Sequence, residues 1–396
     1  MPVYAQHGYG KTDKVELGLQ QGSLGGVILS PRDEKPTKLA AFVEDLQTAF
    51  EGVTVLFDPQ FYASTISPVK DGNLPEYPYY QSVLTRARFV SPADLQQYVG
   101  QTLNYEMTLG LDRLVSPTIM FSDFSDPWSQ IALSLAQQSI ATHGQLADPP
   151  PLLLSLVMDE TALRNGDALN EFLDIITAWD VEGFYIVVRR TDRGYPAYCE
   201  EIVLRNQMYL AYVLAEMNNF EVVFGYTDVL GVLLHAVGVA ATGTGWHNSL
   251  RQFSLSRFQP STGGSPPRPR YTSQTLLNSI LVVPELAGIQ TVGQMGNVLS
   301  GTAYDGVMVG NPANATWPPA TSCLHHWEVV SDLVEDIASY ATVSEKLDRV
   351  DELIVQGVAT YGLLRNAGVV FEPSTGSRDL EVWLRSLRAF RQNVGL

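Results

Sequence analysis

Asp159 and Glu160 stand side by side directly after an apolar run, Leu152-Leu-Leu-Ser-Leu-Val157. Adjacent carboxylates at such an end can act as general acid, base or nucleophile on a glycosidic bond. The same pair can instead cap a helix or pair with Arg189 or Arg190 at the end of the next run. Asp58, Asp123 or Glu285 would supply a second carboxylate. Asp58 opens the segment Asp-Pro-Gln-Phe-Tyr, in which Gln60 and Tyr62 can hold a planar ring or a sugar by hydrogen bonding and stacking. The alternative is a turn that packs two aromatics. Arg32, Asp33, Arg189, Tyr226, Asp228, Trp246 and His247 also follow apolar runs, as do Arg190 and Asp192, and they complete a set suited to substrate binding.

Gly243-Thr244-Gly245-Trp246-His247 precedes a predicted helix carrying Arg251. Two glycines let a backbone approach a ligand, and a helix start offers N–H groups to phosphate. The glycines can also serve a tight connection alone. Residues 229–284 contain no Asp or Glu but do contain Arg251, Arg257, Arg268 and Arg270. That block suits a phosphate or nucleic-acid backbone, or pairing with the acidic C-terminal helices. Cys323-Leu324-His325-His326 lacks a Cys-x-x-Cys or His-x-x-x-His partner, so no metal and no cofactor is assigned. The lysines at 11, 14, 35, 38, 70 and 346 lie away from strand ends, Lys35 excepted, which disfavours Schiff-base chemistry.

These residues need a scaffold that gathers the ends of successive runs. Eight short apolar or β-branched runs occur near 26–30, 53–57, 118–121, 151–157, 183–188, 221–224, 239–242 and 280–283. Helical patterns alternate with them, including 37–50, 92–111, 127–143 and 199–217. Eight such units predict an α/β fold, a (β/α)8 TIM-like barrel with its site at the C-terminal ends of the strands. An open doubly wound sheet is the runner-up, without a Gly-x-Gly-x-x-Gly after its first strand. The expected organisation is a lead-in over 1–25, the barrel over 26–286 and a closing helix with a helical extension over 287–396. An insertion at 63–90 leaves from a strand end and is expected to cover the mouth. The C-terminal helices offer a surface for a protein partner or a second copy.

The chain has 396 residues, 45% hydrophobic and 17% charged, enough apolar content for a large core. A net charge of −17 argues against coating nucleic acid or anionic membrane with the whole surface. Two cysteines exclude a disulfide scaffold. No basic start leads into an apolar run, so a cytoplasmic protein without a membrane role is expected.

The eight-unit layout, and the Leu-His-His of residues 324–326 on a helix after it, resemble the tRNA-guanine transglycosylase superfamily. Those barrels exchange nucleobases through an Asp nucleophile. The zinc cysteines of that family and its Asp-Ser-Gly turn are absent here. The resemblance implies that Asp58, Gln60, Asp123 and Asp159 would surround a base and that the arginine block would receive a polynucleotide. The chemistry expected is transfer or hydrolysis at a glycosidic or N-glycosidic bond. The alternative is an inactive barrel serving as subunit or adaptor in a nucleic-acid-associated complex, with a plugged mouth.

Overall fold

The computed structural model describes residues 2–191, 194–196, 198–260 and 268–396. Parallel strands roll into a nearly closed (β/α)8 barrel. They are β1 (Val3–Gln6), β2 (Gly26–Leu29), β3 (Thr54–Phe57), β4 (Leu114–Val115), β5 (Met120–Phe121), β6 (Leu152–Asp159), β7 (Gly183–Arg189), β8 (Glu221–Gly225) and β9 (Ala241–Thr244). The hydrogen-bonded order is β3-β2-β1-β9-β8-β7-β6-β4, with β5 also on β6. β4 and β5 form one barrel position, since Leu114 faces Leu152 and Met120 faces Val157 on the same neighbour. Pro117 lies between them and cannot donate to a ladder. The Ser116 hydroxyl accepts from Ser155 N at 2.9 Å, filling the missing rung. All eight residues of β6 are buried, as expected of a strand covered on both faces.

Two strand assignments change. β1 lies within the segment read as a lead-in, and it pairs with both β2 and β9. The run at 280–283 is not a barrel strand. It overlaps β11 (Asn278–Leu281), which pairs antiparallel with β10 (Arg270–Ser273) in a separate hairpin. Apolar content alone cannot distinguish a parallel barrel strand from one arm of a buried hairpin.

The helices are α1 (Lys14–Gln20), α2 (Pro36–Ala49), α3 (Pro92–Met107), α4 (Pro127–His143), α5 (Gly166–Ile176), α6 (Glu201–Tyr212), α7 (Gly231–His235), α8 (Asn248–Arg251), α9 (Ala287–Thr291), α10 (Pro319–Ala338), α11 (Val343–Asn366) and α12 (Arg378–Val394). Local chemistry sets their starts. Asp126 caps α4 by accepting from Trp128 N and Ser129 N, with Pro127 in the first turn. α5 buries Leu169, Phe172, Leu173 and Ile176, one face at helical spacing. α10 is the closing helix: it packs on α1, α7 and β1, and Trp327 Nε1 donates to Thr244 O at 2.9 Å. α12 packs on α6 and α11.

β3 and β4 do not pair, and side chains close this seam. Glu106 of α3 accepts from Val115 N at 2.7 Å. Phe57, Tyr77, Tyr79 and Tyr105 have every ring centroid within 6.2 Å of the others. The 63–90 insertion supplies Tyr77 and Tyr79. It meets the mouth where Lys70 N donates to Phe258 O at 2.6 Å. No helix of the described residues is long and apolar enough to cross a membrane.

Candidate active site

The C-terminal ends of the strands carry the expected polar side chains, but the barrel axis is filled. Asp58, just past β3, is buried and accepts from Gln60 N at 3.0 Å, Tyr62 Oη at 2.9 Å and Tyr185 Oη at 3.3 Å. Burial pushes its pKa up to about 6 against those hydrogen bonds. Gln60, left-handed at φ +52°, turns its side chain back to Ser30 Oγ and Arg32 N.

The chain after α8 crosses above this cluster. Phe253 and Phe258 set their rings edge-on to Tyr62 at 5.4 and 5.6 Å. Arg190 N donates to Phe253 O at 2.9 Å, tying the crossing to the end of β7. Arg257 donates to Tyr226 Oη at 2.6 Å and Ser30 Oγ at 2.9 Å, and pairs with Asp33. Burial opposes ionisation of Asp33, but Arg257, Arg32 and the Ser30 hydroxyl outweigh it and hold its pKa down. Arg32, Asp33, Gln60 and Tyr62 are therefore brought together with Asp58, as parts of a sealed polar plug.

The other carboxylates are used structurally. Asp159 accepts from Thr161 N at 2.9 Å and pairs with Arg189 at 2.6 Å. Glu160 accepts from Thr191 N at 3.0 Å and lies 3.6 Å from Arg190. Both follow the cap and ion-pair alternative, so the catalytic assignment to this pair is not supported by their partners. Asp123 sits on an exposed turn and accepts from Ser125 N at 2.8 Å. Glu285 is buried as a tie, accepting from Leu281 N at 2.6 Å and Glu372 N at 2.8 Å, and from the Thr375 hydroxyl. Asp192 lies outside the described residues, as do 261–267 of the expected loop.

The glycine turn is also explained by packing. A Cβ on Gly243 would lie 2.6 Å from Ile28 Cδ1, and one on Gly245 would lie 2.5 Å from Leu250 Cβ. α8 is only a single turn, and Arg251 Nε turns back to Gly245 O at 2.9 Å. Gly243, Thr244, Gly245 and Arg251 thus form a packed connection and no open phosphate cradle. The arginine block is likewise occupied. Arg257 is in the plug, Arg268 pairs with Glu372 at 2.6 Å, and Arg270 donates to Ser279 O and Tyr195 O. His325 and His326 are buried in α10: His325 bonds Thr302 and Thr272 O, and His326 bonds the Thr244 and Thr272 hydroxyls.

Open space lies beside the axis. A narrow cavity of about 60 Å³ runs between the end of β8, the hairpin and α12. Asp228 lines it at φ +52°, two residues after Tyr226 at φ +58°. Left-handed non-glycine residues at one strand end carry strain that the surroundings must hold. Asp228 Oδ1 has no hydrogen-bond partner among the described residues, and His326 Nε2 stands 3.5 Å away. Burial raises the Asp228 pKa, opposed by Arg251 and the Tyr195 hydroxyl. Asp379, in the first turn of α12, lines the same cavity, and burial pushes it up to about 6 against Arg378. Arg190, Arg251, Asn278 and Trp383 complete the walls that matter here.

Arg251 also borders a second groove of about 470 Å³, lined in part by Trp246, His247 and Trp317. Both indole N–H groups are already bonded, to Tyr9 O and Arg270 O at 2.8 Å each. Sequence reasoning named Tyr226, Asp228, Trp246 and His247 but missed Tyr195, Trp317 and Asp379. Tyr195 follows β7 as other strand-end aromatics do and was legible in principle. Asp379 looks locally like any helix-start carboxylate. The chain matches no protein-family model and no curated protein.

Proposed function

We infer that this barrel acts on a glycosidic or N-glycosidic bond of a small nucleoside- or sugar-phosphate-like molecule whose scissile bond lies at the mouth of the narrow cavity between β8 and α12, the rest of it in the adjoining groove. One observation carries the reading: Asp228 and Asp379 line a single cavity from distant parts of the chain, and burial raises both pKa values, opposed at Asp228 by Arg251 and the Tyr195 hydroxyl and at Asp379 by Arg378 alone. Two carboxyl groups flanking a scissile bond are the minimal apparatus for this chemistry. Asp379, opposed only by Arg378, is the proton donor to the leaving group. Asp228, with Arg251 and the Tyr195 hydroxyl favouring its anion, stabilises the positive charge growing on the anomeric carbon. Water or a second substrate then takes the glycosyl group. The Trp246 and Trp317 groove, which shares Arg251, suits the remaining ring of the ligand. Engagement of Arg257, Arg268 and Arg270 within the fold favours a small ligand over a polynucleotide.

The test is thermal stability against nucleosides, sugar phosphates and short single-stranded oligonucleotides, for the wild type and Asp228→Asn. A ligand that binds only the folded chain raises the melting point. A shift with a nucleoside or sugar phosphate, altered in Asp228→Asn, supports the reading, and unchanged melting with every compound refutes it. The sealed axis favours a second reading, an inactive barrel acting as an adaptor. That reading expects no shift with any small molecule.

A further inference from the structure

The groove beside the cavity holds positive charge that the fold does not compensate, in a chain of net charge −17. Arg251, Arg268 and Arg270 line it, and no Asp or Glu among the described residues does. Glu372 neutralises Arg268. The other two guanidiniums bond only neutral groups. Arg251 donates to Gly245 O at 2.9 Å, Tyr195 Oη at 3.2 Å and Ser279 Oγ at 3.4 Å. Arg270 donates to Ser279 O at 2.6 Å and Tyr195 O at 3.0 Å. Asp228 acts on both only from beyond ion-pair distance. Arg251 is 4% exposed, and a buried charge without a counterion is costly.

Each guanidinium also keeps an unused donor. Arg251 Nη2 and Arg270 Nε bond no described residue, and neither is sealed from solvent as the orphaned Arg189 Nε is. The first turn of α10 borders the same groove through Pro319 and Ser322. It has no side-chain cap, and Ala320 N and Thr321 N donate to nothing among the described residues. The start of a twenty-residue helix adds to the preference for an anion.

We propose that this groove selects a phosphate monoester on a ring-bearing ligand, of the nucleoside 5′-monophosphate class, with Arg251 and Arg270 as the specificity determinants. A phosphate monoester carries nearly two negative charges at neutral pH and three acceptor oxygens, which match two guanidiniums and a helix start. Trp246, Trp317 and Pro269 give the ring an apolar wall. A volume of about 470 Å³ lies within the range of small-molecule sites. Binding is argued from the groove alone; the ligand's role as substrate rests on the reading above.

The experiment is isothermal titration of the full chain with adenosine 5′-monophosphate and with adenosine, at about pH 7.5, above the second phosphate pKa near 6. Saturable one-to-one binding of the monophosphate is expected, roughly tenfold or more tighter than adenosine, and inorganic phosphate should displace it. Arg270→Gln should weaken the monophosphate roughly tenfold and leave adenosine unchanged, while Arg270→Lys retains part of the preference. Arg365→Gln, at an exposed arginine of α11, should change neither. Circular dichroism checks the fold of each variant, and the phosphate competition on the wild type needs no variant. Equal affinity for the two compounds overturns the proposal, as does no binding of the monophosphate or an equal loss of both in Arg270→Gln. Release of adenine, followed by chromatography, separates the two ideas. Tight monophosphate binding without release supports this site and counts against glycosidic chemistry, whereas release from both compounds at equal affinity does the reverse.

Discussion

Replacing Asp58 with Asn tests the electrostatics of the sealed axis without knowledge of any substrate. Asp58 is 1% exposed, and its folded pKa is about 6 against an ordinary 3.8. The folded state therefore holds this proton more tightly than the unfolded chain. The resulting stabilisation is full below pH 3.8 and is lost as pH rises through about 6. Two units correspond to about 3 kcal/mol at the acidic limit, of which roughly 1 kcal/mol is present at pH 5. Asn has nearly the same volume, does not titrate, and gives up about 1 kcal/mol in one accepted hydrogen bond. Asp58→Asn should therefore be at least as stable as wild type at pH 8. Wild type should gain roughly 1 kcal/mol on the variant between pH 8 and pH 5, because every other titration is common to both. Urea denaturation at a series of pH values gives this difference directly. A flat difference would show that burial does not dominate at Asp58. A difference of opposite sign would show that the Tyr62 and Tyr185 hydroxyls hold the carboxylate ionised.

Three further outcomes follow from the geometry. Arg257→Met removes the guanidinium donor to the Tyr226 hydroxyl and leaves Asp33 with Arg32 and the Ser30 hydroxyl, and should cost about 3 kcal/mol in urea denaturation. Part of that loss should return in the double variant with Asp33→Asn. Gly243→Ala places a methyl 2.6 Å from Ile28 Cδ1 and 2.9 Å from Gln6 Oε1. It should lower stability by about 1–3 kcal/mol, measured by thermal melting, while leaving binding of inorganic phosphate unchanged. Once a substrate is found, turnover should fall as pH rises through about 6, where Asp379 loses its proton, and Asp379→Asn should remove that limb of the pH–rate profile.

The sequence by itself determined the barrel's repeating unit. β2, β3, β5, β6, β7, β8 and β9 were legible because strands covered on both faces read as short apolar runs with polar ends. α4 could be read to its last residue because Asp126, Pro127 and the apolar spacing all agree. The ends of the barrel were not legible. Val3–Gln6 is four residues long with no contrast against its flanks, whereas the Ser-Ile-Leu of β11 carries the apolar signature of a barrel strand. Only pairing distinguishes them. Strand-end composition likewise marked Asp58, Asp159, Tyr226 and Asp228 without showing which of them reaches open space. Tertiary structure decided that. Arg257 crosses the mouth to Asp33, 224 residues away in the chain, and seals the axis. α12 brings Asp379 into the cavity of Asp228. Contacts between residues so far apart depend on how closed elements pack, and no local spacing encodes them.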